Sequence, residues 1–320
     1  MKAIQVHKFG DPEEMQLEDI PDLVPAAKQL KIEVKAIGVN PVDAYIRAGI
    51  YPLRPDLPYT PGKDAAGVIT AVGSDVVHRK IGERVYVCGC QSGSYAQHVI
   101  CNEDQAYILP ANIDFSAGAA LGVPYSTAFY ALNFRARALP GETLLIHGAS
   151  GAVGVAAIQI AKANGLEVIG TAGTEQGLEL IKKQGVIAAL NHNTENYLDA
   201  IEELTCGQGV DVVLEMLANV NLDKDLKVLA KFGRIVVIGN RGRIEIDPRD
   251  TMGKNAAILG ISLFNAGAKD LKQIHAAIRA GLTDGRYKPI IQAEMPLVDA
   301  PKAHNLVLLN GVYGKIVLIP

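Results

Sequence analysis

The stretch His147–Ala156, HGASGAVGVA, decides how the second half of the chain is read. Gly148, Gly151 and Gly154 recur at three-residue spacing between an apolar run at 143–148 (TLLIHG) and a helix-like segment, Ala152–Ala163. Where a strand gives way to a helix, glycines let the backbone turn tightly and approach a pyrophosphate. The helix beyond offers that anion free N–H groups and the positive end of its dipole. Gly148 would then open the turn, Ser150 and Gly151 would face the phosphates, and Gly154 would let the helix pack on the strands. The spacing is GxxGxxG where the common fingerprint is GxGxxG, so the turn is expected to differ in detail. The alternative is a plain glycine-rich connection.

The surroundings favour the dinucleotide reading. Apolar runs recur at 166–171 (LEVIGT), 186–190 (VIAAL), 210–216 (VDVVLEM), 234–239 (RIVVIG) and 256–261 (AAILGI), with helices between them, among them Ala152–Ala163 and Thr194–Leu204. Six apolar strands interleaved with crossovers predict an α/β fold with a parallel, doubly wound six-stranded sheet. Residues 1 to about 120 are written differently. Short β-rich segments such as KIEVKAIGVN, AAGVITAVGS, GERVYVCGC and YAQHVICNED are punctuated by proline and glycine, as in a Greek-key or barrel-like domain. After DLKQIHAAIRAGL, a helix, the chain ends in GKIVLI, a strand with no place in the α/β unit, which is expected to return to the N-terminal domain.

A chain of 320 residues exceeds the usual size of one core, so two domains are expected. With 49% hydrophobic and 20% charged residues it suits a folded protein, and its net charge of −3 gives no support to phosphate-driven nucleic-acid binding. Strand-like alternation starts at Met1, leaving no signal peptide to expect, and no apolar stretch reaches membrane-spanning length unbroken. Four cysteines are too few for a disulfide scaffold. The expectation is a soluble, cytoplasmic, reduced protein.

An NAD site normally carries Asp or Glu at the end of the second strand, where it binds the ribose hydroxyls. Here Gly170, Thr171, Ala172 and Gly173 offer no carboxylate, and Glu175 suits the first turn of the next helix. An uncharged end tolerates a 2′-phosphate, so NADPH is expected. Lys182, Lys183, Arg241 and His192 are candidates for the cation beside that phosphate.

Several stretches carry a family resemblance. YTPGKDAAGVITAVGSDV (59–76) resembles the PGHExxGxV segment of medium-chain dehydrogenases/reductases, and HGASGAVGVAAIQIAKANG, GTAGTEQG, EMLANVNLDKDL and GRIEIDPRDTMGK resemble the zeta-crystallin type of NADPH:quinone oxidoreductase. The resemblance runs from Lys2 to the C-terminus. It implies a GroES-like domain, 1–122 completed by 265–320, a Rossmann domain at 123–264, and a cofactor cleft between them. It further implies that Tyr45, Ser150, Gly151, Ala152, Val153, Gly173, His192, Asn221, Ile238, Gly239, Asn240, Arg241, Ile261, Ser262 and Leu263 line the NADPH site. The glycine turn adds Gly148 and Gly154. Arg241, a permanent cation next to a glycine turn, could hold a phosphate bidentately or be a surface ion-pair residue.

Zinc members of the superfamily use a cysteine near Asn40–Asp43 and a His-Glu pair where this chain has Lys63-Asp64. Both places lack ligands that would hold Zn²⁺. Cys88, Cys90 and Cys101 alternate on strand-like segments and are read as structural, so no metal is expected. Without a Lewis acid to stabilise an alkoxide, reduction of an electron-poor quinone, its oxygens held by neutral donors, is the easier chemistry. Asn40, Tyr45 and Tyr51 are the candidate positioning residues at the nicotinamide end, and packing of a loop is their alternative role. Asp43, Arg47 and Asp64 are read as structural ion-pair members. The resemblance also implies one-electron delivery to quinones giving semiquinones, assembly into dimers or tetramers, and binding of AU-rich RNA. The runner-up activity is reduction of a 2-alkenal or enone.

Overall fold

The computed structural model describes residues 1–320, and they form two compact units, Met1–Pro124 with Ala277–Pro320, and Tyr125–Ala276. Fifteen strands run in chain order: β1 Lys2–Val6, β2 Met15–Asp19, β3 Gln29–Val39, β4 Asp64–Val72, β5 Arg84–Cys88, β6 His98–Asn102, β7 Ala106–Ile108, β8 Thr143–Ile146, β9 Glu167–Ala172, β10 Ala188–Asn191, β11 Val210–Glu215, β12 Leu229–Val237, β13 Ala257–Gly260, β14 Ile291–Pro296 and β15 Lys315–Ile319. The α-helices are α1 Pro41–Arg47, α2 Phe115–Ala119, α3 Gly122–Phe129, α4 Ala152–Ala163, α5 Glu175–Gln184, α6 Asp199–Leu204, α7 Ala218–Val228, α8 Pro248–Met252, α9 Ala268–Thr283 and α10 Ala300–Val307.

In the first unit a sheet of order β14-β15-β3-β4-β5-β7, with β6 also on β3, encloses a core that includes Ile32, Ile37, Ile69, Val85, Val99, Ile316 and Leu318. The terminal strand does return here: β15 lies antiparallel to β3, with Ile316 opposite Val39 and Leu318 opposite Ile37. It is buried along nearly its whole length, and the β-branched residues of KIVLI fit such a place.

The second unit holds a six-stranded parallel sheet of order β10-β9-β8-β11-β12-β13, as the alternation predicts. Its core gathers Leu145, Ile169, Val213, Ile235 and Leu226. α4 occupies the expected Ala152–Ala163. The expected helix Thr194–Leu204 is shortened to Asp199–Leu204, because residues 194–198 make turns and Asn196 takes a positive φ of 57°. β12 starts at Leu229, ahead of the expected 234. Its irregular beginning, with Phe232 at φ 64° and a register shift against β11, hides it from a search for alternation. Cys90 lies just past the end of β5 rather than on it.

Candidate functional site in the parallel-sheet unit

All six strands run one way, so their carboxyl ends share an edge, and the strand order reverses between β8 and β11. Such a reversal opens the crevice in which α/β folds bind ligands. The glycine turn follows β8 at that point. Gly148 has φ +58°, a conformation L-residues avoid, and its N–H donates to Thr171 Oγ1 at 3.2 Å. Gly151 N-caps α4 with φ −70° and ψ 170°, and no side chain caps this helix end. A Cβ on Gly151 would meet only Gly148 O, at 3.4 Å. The first N–H groups of a twelve-residue helix therefore face outward past a residue without a side chain. Gly154 has the other role: its Cβ would fall 2.6 Å from the Ala149 backbone, so glycine is what lets α4 close on the turn. Ser150 is buried, its hydroxyl facing Gly177 of α5.

At the end of β9, a Cβ on Gly173 would stand 2.6 Å from His192 Nε2, while Nδ1 of the same ring lies 3.3 Å from Thr171 Oγ1. Thr174 caps α5 by accepting from Gly177 N–H, and Glu175 occupies the first turn as expected. Lys182 and Lys183 lie in the last turn. At about 1.5 Å per residue that is roughly 10 Å along the helix from the β9 end, which removes them as partners of a phosphate there. His192 is exposed beside this end.

The other predicted positions fall at the ends of β11, β12 and β13. Ile238 and Gly239 N–H groups both donate to Glu215 O, and Ala218 N–H donates to Gly239 O. Gly239 has no room for a side chain, its Cβ position being 2.2 Å from Met216 O. Arg241 is exposed, and its backbone N–H donates to Asn219 Oδ1 at 2.8 Å. Asn240 donates to Gly242 O. Ile261 N–H donates to Val237 O, and Ser262 and Leu263 lead a short 3-10 turn. Asn221 Nδ2 donates to Glu215 Oε1 at 3.2 Å.

That last contact leads to residues the sequence reading missed. Glu215, Asp225 of α7 and His147 are all buried, with His147 Nε2 2.7 Å from Asp225 Oδ1 and 3.6 Å from Glu215 Oε2. Burial pushes both carboxyls above the usual carboxylate range and holds the imidazole below its usual value. The only hint in the sequence was polar residues inside apolar runs (LLIHG, VVLEM).

Candidate positioning residues in the GroES-like unit

In the first unit Asn40 caps α1, its N–H donating to Asp43 Oδ2 at 3.0 Å. Its amide is engaged inward: Nδ2 donates to Asp64 Oδ2 at 3.0 Å, and Oδ1 accepts from Lys315 Nζ at 2.6 Å. Lys315 also reaches Asp64 Oδ2 at 3.1 Å, with both side chains essentially unexposed. Asp43, by burial and by the facing Asp64, is pushed up to about 7. Asp43 and Asp64 thus belong to a structural network as expected, but its cation is Lys315. Arg47 instead donates to Gly10 O at 2.5 Å. Tyr45 on α1 and Tyr51 just beyond it are half-buried. Lys63 borders a cavity of about 520 Å³ with Asp43, Tyr59 and Cys90. Burial pushes the Cys90 thiol up to about 12, and its Sγ donates to Gly62 O, so it is a thiol rather than a ligating thiolate.

Two family descriptions match this chain: an alcohol dehydrogenase GroES-like domain over residues 26–111 and a zinc-binding dehydrogenase over 152–280. The human quinone oxidoreductase is 46% identical over 321 residues, spanning 100% of this chain and 98% of that protein. The crystal structure of Escherichia coli quinone oxidoreductase complexed with NADPH superposes with a TM-score of 0.91 at 33% identity, over 100% of both chains. A CurK enoyl reductase structure has a TM-score of 0.89 at 25% identity, covering 99% of this chain and 98% of its own. With parallel-sheet topology, glycine turn and full-length identity in agreement, the chain belongs to the quinone oxidoreductase family of the medium-chain dehydrogenase/reductase superfamily.

Proposed function

We propose that this chain reduces quinones with NADPH directly, without a metal or flavin. The observation that carries this is the uncapped N-terminus of α4 behind Gly151, at the point where the strand order reverses. It fits a diphosphate. The carboxylate-free end of β9 suits a 2′-phosphate, with His192 and Arg241 as the remaining candidate partners. When bound, NADPH supplies the reducing equivalents. The chain's own residues bind and orient it: Gly148, Gly151, Ala152, Val153 and Gly154 at the diphosphate, Gly173 and His192 at the adenosine end, and Asn221, Ile238–Arg241 and Ile261–Leu263 along the strand ends. Domain bounds of 1–122 with 265–320, and 123–264, remain our assignment.

In the GroES-like unit we assign Tyr45 and Tyr51 to quinone and nicotinamide positioning. Asn40, its amide engaged by Asp64 and Lys315, acts by fixing the start of α1. The metal-free reading rests on donor chemistry: Lys63 is a cation, Asp64 is ion-paired with Lys315, and Cys90 is protonated.

Fluorescence titration with NADPH and NADH, followed by side-by-side assays of 9,10-phenanthrenequinone and a 2-alkenal, tests the proposal. Quinone turnover with NADPH preference supports it; no quinone reduction above background refutes it. Enone reduction is the second reading, favoured by the CurK enoyl reductase neighbour. Radical detection during turnover separates one-electron from two-electron delivery. Assembly through β13, an edge strand with Ala257, Ile258 and Gly260 exposed, accounts for the expected dimer or tetramer and is read by light scattering. Four free cysteines suit the cytoplasm, and no helix is long and apolar enough to cross a membrane. RNA binding ranks below these at a net charge of −3, and a salt-sensitive gel shift displaced by NADPH is its test.

A further inference from the structure

Beneath the glycine turn, His147, Glu215 and Asp225 bring one ring nitrogen and two carboxyls within 4.8 Å of one another. The elements at the strand-order reversal contribute: His147 directly follows β8 and precedes Gly148, Glu215 ends β11, and Asp225 lies in α7. One oxygen of each acid is accounted for. Asp225 Oδ1 is hydrogen-bonded with His147 Nε2, while Glu215 Oε1 accepts from Asn221 Nδ2 and from Leu217 N–H. The remaining two, Glu215 Oε2 and Asp225 Oδ2, are buried and receive no N–H or hydroxyl donor. Two ionised carboxylates left so would be strongly penalised by burial, whereas one proton between them satisfies both oxygens.

A metal ion would also gather these donors, but the geometry is that of a hydrogen bond. His147 Nε2 and Asp225 Oδ1 are 2.7 Å apart, and ligands at about 2.0–2.2 Å from one tetrahedral ion stand roughly 3 Å or more from each other. Burial and the neighbouring acid raise Glu215, which retains the proton, while Asp225 accepts. Burial holds His147 neutral. The other titratable groups facing the cluster come from the segment after β10: His192, and Tyr197, whose ring stands edge-on to His147 at 6.3 Å.

We propose that the Glu215–Asp225 pair shares one proton and that the protonated pair positions Asn221 and Leu217 at the coenzyme edge, so that NADPH binding and protonation of the pair favour one another. Losing the proton puts a second buried negative charge under the turn that receives the diphosphate. This rests on placing NADPH at that turn. Glu215 is a positioning residue; it acts through Asn221 and the β11–α7 backbone.

The test uses the full chain, wild type and Glu215→Gln. The glutamine carbonyl still accepts from Leu217 and Asn221, and its amide donates permanently to Asp225. NADPH affinity by fluorescence is expected to agree within about threefold near pH 7. Between about pH 7 and 9 wild type should lose roughly tenfold and the variant markedly less. Calorimetry in two buffers of different ionisation enthalpy should show proton uptake on binding in wild type that the variant lacks. Asp225→Asn, donating to Glu215 instead, gives the same flattening if Glu215→Gln fails to fold. Parallel affinity profiles, or a stoichiometric metal in the purified protein, would overturn the proposal. Stability without coenzyme keeps the two readings apart. Wild type should lose stability as pH rises from about 5 to 8 and Glu215→Gln should lose less, whereas failure of wild type to bind NADPH at any pH would refute the coenzyme site instead.

Discussion

Gly151 and Gly154 sit three residues apart in one turn, yet substituting each by alanine should damage different things. At Gly151 the backbone, φ −70° and ψ 170°, is open to any residue, and the new methyl meets only Gly148 O at 3.4 Å. Gly→Ala at an N-cap costs a few tenths to about 1 kcal/mol, so the melting temperature should move by only about 1–3 °C. The methyl does, however, stand between the free α4 N–H groups and an approaching diphosphate. Losing one charge-assisted hydrogen bond removes about 1.5–3 kcal/mol, so NADPH affinity should fall roughly 10- to 100-fold. At Gly154 the Cβ would lie 2.6 Å from the C, Cα and O of Ala149, and contact becomes ordinary only at 3.4 Å or more, so the turn must shift by about 0.8 Å. Helix propensity returns about 1 kcal/mol, and overpacking costs about 1–3, for a net loss of up to about 2 kcal/mol. Thermal unfolding by circular dichroism and NADPH titration on the two variants separate the effects. Gly151→Ala with wild-type affinity would refute the placement of the diphosphate, because no other contact shields the donors from that methyl.

Three further outcomes follow from the first unit. Lys315→Met leaves Asp64 buried without its ammonium partner, which should cost about 3–5 kcal/mol in urea unfolding, and adding Asp64→Asn should recover much of it. His304, beside Tyr95 Oη at 3.0 Å, is held neutral by burial, its pKa pushed from 6.5 down to about 3. Between those values the unfolded chain takes up a proton that the folded chain refuses, so stability falls as pH drops; His304→Gln should make the urea midpoint fall less between pH 7 and about 5. Tyr45→Phe should raise the quinone KM several-fold with kcat nearly unchanged if the hydroxyl only positions substrate, and an equal loss in kcat would make it a proton donor instead.

What could be read from the sequence was whatever repeats locally. The six parallel strands and α4 were visible because apolar runs and helical spacing are properties of adjacent residues. The glycine turn was visible because three small residues constrain one loop. Failures occurred where neighbours in space are distant in the chain. Asn40 reads as a polar donor ahead of a helix, and nothing within ten residues reveals that Lys315 takes its carbonyl. The lysine was itself part of a correctly read strand, yet a strand says nothing about the partner of its one charged residue. Local reading also failed at Asn196, where a left-handed residue shortens α6, since Thr194–Leu204 carries no proline or glycine until after its end.

The two missed clusters solve one problem in different ways. Each buries charge where the backbone must be held against a ligand-bearing segment, and each needs a partner to make that burial tolerable. In the GroES-like unit the partner is a permanent ammonium on the last strand. Lys315 ties β15 to Asn40 at the start of α1 and to Asp64 at the start of β4, the places where zinc members of the superfamily put metal ligands. The positive charge there is covalently part of the chain and independent of metal supply. In the parallel-sheet unit no lysine or arginine ion-pairs with Glu215 or Asp225; their neighbour there is His147, which burial keeps neutral. A proton is then the cation that remains, and it alone can leave. The coenzyme side should therefore answer to pH through the proton on this pair, whereas the Lys315–Asp64 pair needs no proton to balance its charge. Coenzyme affinity should fall as rising pH removes that proton, and Glu215→Gln should blunt the fall.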